Sequence, residues 1–257
     1  MGQVSTDLAE QGIPTLWGSF EIKNTRLVHK LLQQYSRGQL PIQDETALSA
    51  LCDRFDTLPL YFLKFHGGSD LDDVLDAMEY AVYVNDVQHI ILDNLQFMIS
   101  RKSTHSKGMD KFDVQDLAME RFRQFATDLN VHLQLVVHPR KEEEASKLSM
   151  SSIYGSAKAT QEADTVVILQ SDGRRKYLEV KKNRYDGTLG YTPLHFDRNS
   201  GRYTQDETGG AALDKKDADM PDLLRQKNSR SFQARSQERT PQQEVDPEFW
   251  NQCLNGT

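Results

Sequence analysis

Apolar positions along this chain follow two rhythms. Compact apolar runs at Thr15–Phe20, Leu60–Phe65, His89–Asp93 and Val131–Val137 predict buried strands. Between them, apolar residues recur every three or four positions, which predicts amphipathic helices. Leu27, Val28, Leu31 and Leu32 form one such face, with Asn24 as the helix cap. Ala47, Leu48, Leu51 and Phe55 form another, ending before Pro59. Leu71, Val74, Leu75, Met78 and Val82 form a third, opened by Ser69 or Asp70. After a polar loop at Ser100–Asp110, Phe112, Leu117, Phe122 and Phe125 form a fourth. Strands alternating with helices in this way predict an α/β fold with a mainly parallel central sheet flanked by helices.

The remainder changes character. Thr165–Leu169, Tyr177–Val180 and Thr192–Phe196 are strand runs, the first two joined by a turn around Asp172-Gly173, and they predict antiparallel pairing. From Thr204 onward Lys, Asp, Gln, Arg and Ser dominate. Residues 1–203 therefore read as the folded domain, and 204–257 as a disordered polar tail.

Composition narrows the function classes. The 257 residues are 37% hydrophobic and 27% charged, ordinary for a globular domain with a polar tail. The net charge of −7 gives no global sign of nucleic-acid binding, so any DNA contact must rest on local basic loops. Cys52 and Cys253 lack metal-ligand spacing and make no disulfide framework, which fits a reducing compartment. No apolar run approaches the roughly 20 residues of a membrane span, so no membrane partner is expected.

Ligands of open parallel sheets sit beyond the carboxyl ends of the strands. Three predicted strands lead there into a polar group: Glu21, Asp93 and His138. Asp93, following His89-Ile90-Ile91-Leu92, has the form of an acid that holds magnesium against nucleotide phosphates. It fits a loop cap equally well. Glu21 can orient and deprotonate a water, or stand as a surface glutamate. His138, before Pro139-Arg140-Lys141, can sense a phosphate or simply end a strand. Further on, Gly155, Ser156, Lys158 and Gln161 lie in a segment suited to a nucleic-acid backbone, or in a helix start rich in capping residues. Lys182 and Arg184 sit at a strand end, where an arginine can stabilise phosphoryl-transfer charge across a subunit boundary. The bland alternative there is a solvated charge cluster.

Five strings, in this order, resemble the RecA-like replicative DNA helicases: the DnaB-like and phage helicase–primase family with its mitochondrial branch. They are Thr15-Leu16-Trp17-Gly18-Ser19-Phe20-Glu21-Ile22, then His89 to Met98, Val136 to Glu142, Gly155 to Asp164 and Lys182 to Gly187. The first and third favour the mitochondrial branch over bacterial DnaB. The resemblance covers roughly Asp7 to Tyr203. It implies a RecA-like ATPase core that uses ATP (or another NTP) with Mg. It implies a homo-oligomer, a hexameric ring, moving 5′ to 3′ on single-stranded DNA. By resemblance Glu21 is the catalytic glutamate, Asp93 the acid that holds Mg through water, and His138 the γ-phosphate sensor. Arg184 is the arginine finger with Lys182 beside it, and Phe196 packs near the adenine. Gly155, Ser156, Lys158 and Gln161 contact DNA. Partners among mitochondrial replication proteins, and a mitochondrial-matrix nucleoid location, follow from the same resemblance, with no presequence to show them.

One departure stands out. The family's phosphate-binding loop, Gly-x-x-x-x-Gly-Lys-Ser/Thr, belongs just upstream of the helix ending near Gln11-Gly12. That string is absent, and the early pair Gly67-Gly68 runs into Ser69-Asp70 with no lysine. The resemblance begins inside that helix, at about Asp7, so an N-terminally truncated core is expected, one that does not hydrolyse ATP at a useful rate alone. The alternative is a non-catalytic short form that binds single-stranded DNA or joins and modulates full-length rings. A RecA-like recombinase is a third reading, opposed by the His138 to Lys141 and Lys182 to Gly187 strings.

Overall fold

Ile90, Ile91 and Leu92 are fully buried, and the strand they form, β3 (His89–Asp93), lies inside a four-stranded parallel sheet. Its neighbours are β1 (Thr15–Ser19) and β4 (His132–Val136), with β2 (Leu60–Phe62) beyond β1. The computed structural model describes residues 1–65, 69–99, 111–139, 147–153, 157–171, 173 and 175–206. Among these, the helices are α1 (Gly2–Glu10), α2 (Asn24–Tyr35), α3 (Glu45–Asp56), α4 (Leu71–Asn85), α5 (Leu95–Ile99), α6 (Lys111–Asp128) and α7 (Ala157–Glu162).

The predicted apolar faces meet in one core. Val74, Leu75 and Met78 of α4 and Met119 and Phe122 of α6 pack with Leu16, Ile90 and Leu92 of the sheet. Gly18 of β1 suits the close packing there: a Cβ would lie 2.6 Å from Leu92 Cδ2, so the Leu92 side chain would have to shift. Gly12 closes α1 at φ +79°, sending its N–H back to the Ala9 carbonyl at 2.9 Å, a left-handed cap that glycine adopts without strain.

Several expectations need correction. Asn24 does not cap α2: Lys23 holds that position, and the Asn24 side chain donates instead to the Leu63 carbonyl at 2.9 Å. Of the two residues offered for α4, Asp70 is the cap, its carboxylate accepting from the Asp72 N–H at 3.0 Å. Leu117 is 41% exposed, because the inward face of α6 runs through Gln115, Ala118, Met119 and Phe122. Asp7, where the resemblance begins, lies inside α1 as expected. β2 and β4 are shorter than their apolar runs. The 100–110 loop, Asp172 and the side chain of Phe112 lie outside the described residues.

The late strands pair as an antiparallel sheet in chain order: β5 (Thr165–Ser171), β6 (Lys176–Asn183), β7 (Gly190–Asp197) and β8 (Arg202–Gln205). β8 was not expected, and it extends past the anticipated boundary at 203; the tail beyond 206 lies outside the described residues. It is anchored to α1. Arg202 pairs with Asp7 at 2.6 Å, and Gln3 exchanges two hydrogen bonds with the Tyr203 backbone, at 2.9 and 2.7 Å. Trp17 then donates to Ser5 Oγ at 2.7 Å in the core, fixing α1 on β1.

His89 and His132 face each other as register partners where β3 and β4 begin. Their rings stack at 4.8 Å with the two Nδ1 atoms 2.7 Å apart, a contact that needs one donor and one acceptor. Burial, then the neighbouring ring, pushes His89 from 6.5 down to about 4, and burial lowers His132. The folded state thus resists protonation that the unfolded chain accepts. The contribution of this histidine pair to stability is expected to be flat above pH 6.5 and to fall as pH drops from 6.5 toward about 4. Urea unfolding across that window should show a shallower slope for His89→Gln than for the parent; identical slopes would refute the assignment.

Candidate functional site

Register creates the site. Ser19, Asp93 and Val136 are level across β1, β3 and β4, so the chain segments leaving all three strands emerge side by side. Glu21 follows Ser19 by two positions and His138 follows Val136 by two. The three residues picked from strand ends therefore converge, with ligand atoms of Glu21, Asp93 and His138 all within 4.8 Å of one another.

Asn94 holds the cluster together. It is fully buried. Its Nδ2 donates to Glu21 Oε2 at 2.7 Å and lies 2.9 Å from His138 Nε2. Glu21 and His138 are themselves 3.7 Å apart and both partly exposed, so the cluster opens to solvent on one side. Gln96 adds a hydrogen bond to the His138 carbonyl at 3.1 Å. Burial, then the Glu21 charge, pushes the Asp93 carboxyl up, while His138, the Met1 amino group and Lys30 pull it down. Two carboxylates against one another suit a hard cation with oxygen ligands, which would relieve their repulsion. Magnesium fits Asp93 and Glu21 on that donor chemistry; the imidazole is better suited to a hydrogen bond. Asn94 carries no role that the sequence alone assigns. The signal was a second polar residue directly after the strand-end acid.

Lys182 and Arg184 gather elsewhere, at the end of α7. Lys182 Nζ donates to the Thr160 and Gln161 carbonyls at 2.7 and 2.8 Å, and Arg184 donates to the Gln161 carbonyl at 2.6 Å. Arg123 donates to the Glu162 carbonyl at 2.6 Å. Three cations thus satisfy the terminal carbonyls of one short helix and oppose its dipole. Asp164 joins Arg123 at 2.9 Å and Arg184 at 3.2 Å. Burial alone would raise that carboxyl, and the two guanidiniums outweigh it and hold it low. Burial, then Arg184, lowers the Lys182 amine. Arg123 and Asp164 had no sequence signal beyond their charge.

Lys158 and Gln161 ride on α7 itself, and Lys158 pairs with Glu120 at 2.8 Å. Gly155 and Ser156 lie outside the described residues. Phe196 sits on β7, 4.7 Å from the Tyr203 ring and with Lys176 Nζ 5.2 Å from its centroid. It belongs to neither the Asn94 cluster nor the α7 cap.

A parallel sheet between helices, with an acid and a polar cluster at its strand ends, is a RecA-like ATPase-domain architecture. The chain belongs to the AAA-domain family, whose model matches residues 2–144, more than half of its length. Among solved structures, it is similar to one described as an ATPase domain, with a TM-score of 0.67 and 14% identity over 79% of this chain and 78% of that one. It is similar also to a DnaB-like replicative helicase, described with its interactions with primase, at a TM-score of 0.63 and 14% identity. That match covers 79% of this chain and 56% of the helicase.

The cluster makes a direct prediction. Asn94→Leu keeps the volume of Asn94 and removes its donors. It is expected to cost about 1–3 kcal/mol of stability, because polar partners are left unmatched. It should also shift the NMR ring resonances of His138 while leaving those of His195 in place. Unchanged His138 resonances would show that Asn94 does not position the histidine.

Proposed function

We propose that this chain is the RecA-like ATPase core of a replicative DNA helicase of the Twinkle type, coupling ATP hydrolysis to 5′-to-3′ movement on single-stranded DNA. The observation that carries the reading is the convergence of Glu21, Asp93 and His138 around Asn94 at level strand ends. The DnaB-like likeness supports the same class.

In this reading Asp93 holds magnesium through water, and the ion supplies neutralising charge to the nucleotide phosphates. Glu21 orients a water for attack, kept in place by Asn94. His138, on the same donor, reports the γ-phosphate. Arg184 and Lys182 leave their α7 carbonyls to act on a neighbouring subunit's nucleotide, and Phe196 packs near its base. Gly155, Ser156, Lys158 and Gln161 contact DNA inside a hexameric ring. The ring works in the mitochondrial matrix beside other replication proteins.

None of the 15 glycines is followed by lysine. Residues 1–257 are therefore proposed to lack the phosphate cradle and not to hydrolyse ATP at a useful rate by themselves. The same observation favours a second reading, a non-catalytic short form that binds single-stranded DNA or modulates full-length rings.

ATP hydrolysis by the purified chain, with and without single-stranded DNA, separates these claims from error when run beside Arg184→Ala. The expected result is background hydrolysis in both proteins, with DNA binding that weakens several-fold in Lys158→Ala and with rising salt. DNA-stimulated hydrolysis that disappears in Arg184→Ala would mean the phosphate loop is dispensable. Absence of any DNA binding would count against both readings.

A further inference from the structure

Helix α4 buries one face and leaves the other to solvent. Val74, Leu75, Met78 and Ala81 belong to the core. On the opposite side Asp73, Asp76, Tyr80 and Tyr83 follow one another at spacings of three, four and three, and all four are exposed. That spacing sets them in one line along the helix, about 15 Å long at a rise of about 1.5 Å per residue. The N-terminal half of the line is two carboxylates, and the C-terminal half is two phenol rings. Val84, half exposed, widens the apolar half, and Glu79 flanks the line.

The helix itself needs little of this. Tyr80 and Tyr83 are 66% and 87% exposed. Single apolar groups on a surface are ordinary, whereas two rings one turn apart beside a half-exposed valine form a patch. Asp70 caps α4, and Asp72 and Asp73 lie in its first turn, where negative charge meets the helix dipole. Asp76 and Glu79 lie beyond that turn, and α4 holds no Lys or Arg to pair with them. Asp72 is matched by Arg121 at 2.9 Å, whereas Asp73, Asp76 and Glu79 have no ion pair among the described residues.

We propose that this face of α4 is a docking site for an amphipathic helix of a partner protein, apolar in its first half and rich in Arg or Lys in its second. Charge complementarity places the basic half over Asp73 and Asp76. Cations are favourable near a helix C-terminus, so the partner runs antiparallel to α4, with its apolar half against Tyr80, Tyr83 and Val84. A line of side chains at alternating three- and four-residue spacing is the pattern by which helices pack side by side at a shallow angle, which favours a helical over an extended partner. Tyrosines suit the anchoring role because they bring large area with few rotors to freeze. The docking face does not depend on the function proposed for the Asn94 cluster.

The test uses the full chain and a probe peptide, Ser-Ala-Gln-Leu-Ala-Gln-Leu-Ala-Ala-Gln-Arg-Ala-Gln-Arg-Gln, held helical by a hydrocarbon staple away from its Leu and Arg residues. Its Leu-Leu-Arg-Arg line has the spacing of the α4 line read in reverse. On titration, the NMR ring signals of Tyr80 and Tyr83 are expected to move with a Kd below about 1 mM, and those of Tyr177 and Tyr203 to stay in place. Tyr83→Ser and Asp76→Lys, both at exposed positions, should unfold at the parent's temperature and bind roughly tenfold more weakly. A probe with Glu in place of its first Arg should prefer Asp76→Lys to the parent. Unmoved Tyr80 and Tyr83 signals overturn the proposal. So does equal binding of a probe with its Leu and Arg halves exchanged. Tyr80 and Tyr83 signals that move with chain concentration in the absence of probe would assign the face to a second copy of this chain and also overturn it. ATP hydrolysis is not read, so this outcome and that of the nucleotide site are separable.

Discussion

Everything at the candidate site depends on the register of three parallel strands. Because β1, β3 and β4 end level, Glu21, Asp93 and His138 arrive at one place from widely separated parts of the sequence. A slip of one residue in any pairing would turn the strand's side chains to the opposite face and take one group out of the cluster. The register is held by burial: Ile90, Ile91 and Leu92 of β3 are fully buried, and Gly18 leaves room for the Leu92 side chain. The stability of the core and the geometry of the chemistry therefore share one origin.

The parts of the fold that rest on periodicity were legible in the sequence. The apolar runs gave the strands of the parallel sheet, the three- and four-residue spacing gave α2, α3, α4 and α6, and the close-set late runs gave an antiparallel group. Strand ends also pointed to Glu21, Asp93 and His138, since polar groups after apolar runs mark the ligand side of such a sheet. What periodicity does not encode was missed. β8 is four residues with weak alternation, held by Gln3 and Asp7 of α1 across nearly the whole chain. Asn24 looked like a cap because capping is a local preference, and a tertiary acceptor at Leu63 claimed it instead. Asn94 is marked only as a second polar residue after the strand-end acid; its importance comes from being buried between two groups that only folding brings together.

The α7 cap shows charge used for position. Lys182, Arg184 and Arg123 share the last carbonyls of a six-residue helix, too short to be stable alone. Lys182 and Arg184, proposed to act on nucleotide across a boundary, are thus hydrogen-bonded to the same small helix that carries Lys158 and Gln161, proposed to touch DNA. Release of Arg184 toward a phosphate would remove one of the bonds that hold α7, which gives a physical route from nucleotide to DNA contact.

In the proposed function, Glu21, Asp93 and His138 form one cation and phosphate site. The most direct measurement is paramagnetic broadening of histidine ring signals by Mn²⁺, used in place of Mg²⁺, in the parent chain and in Asp93→Asn. Strong broadening at His138, little at His29 and His195, and loss of the effect in Asp93→Asn are the predicted results. Uniform broadening of all three histidines, or broadening at His138 that survives Asp93→Asn, would contradict the account.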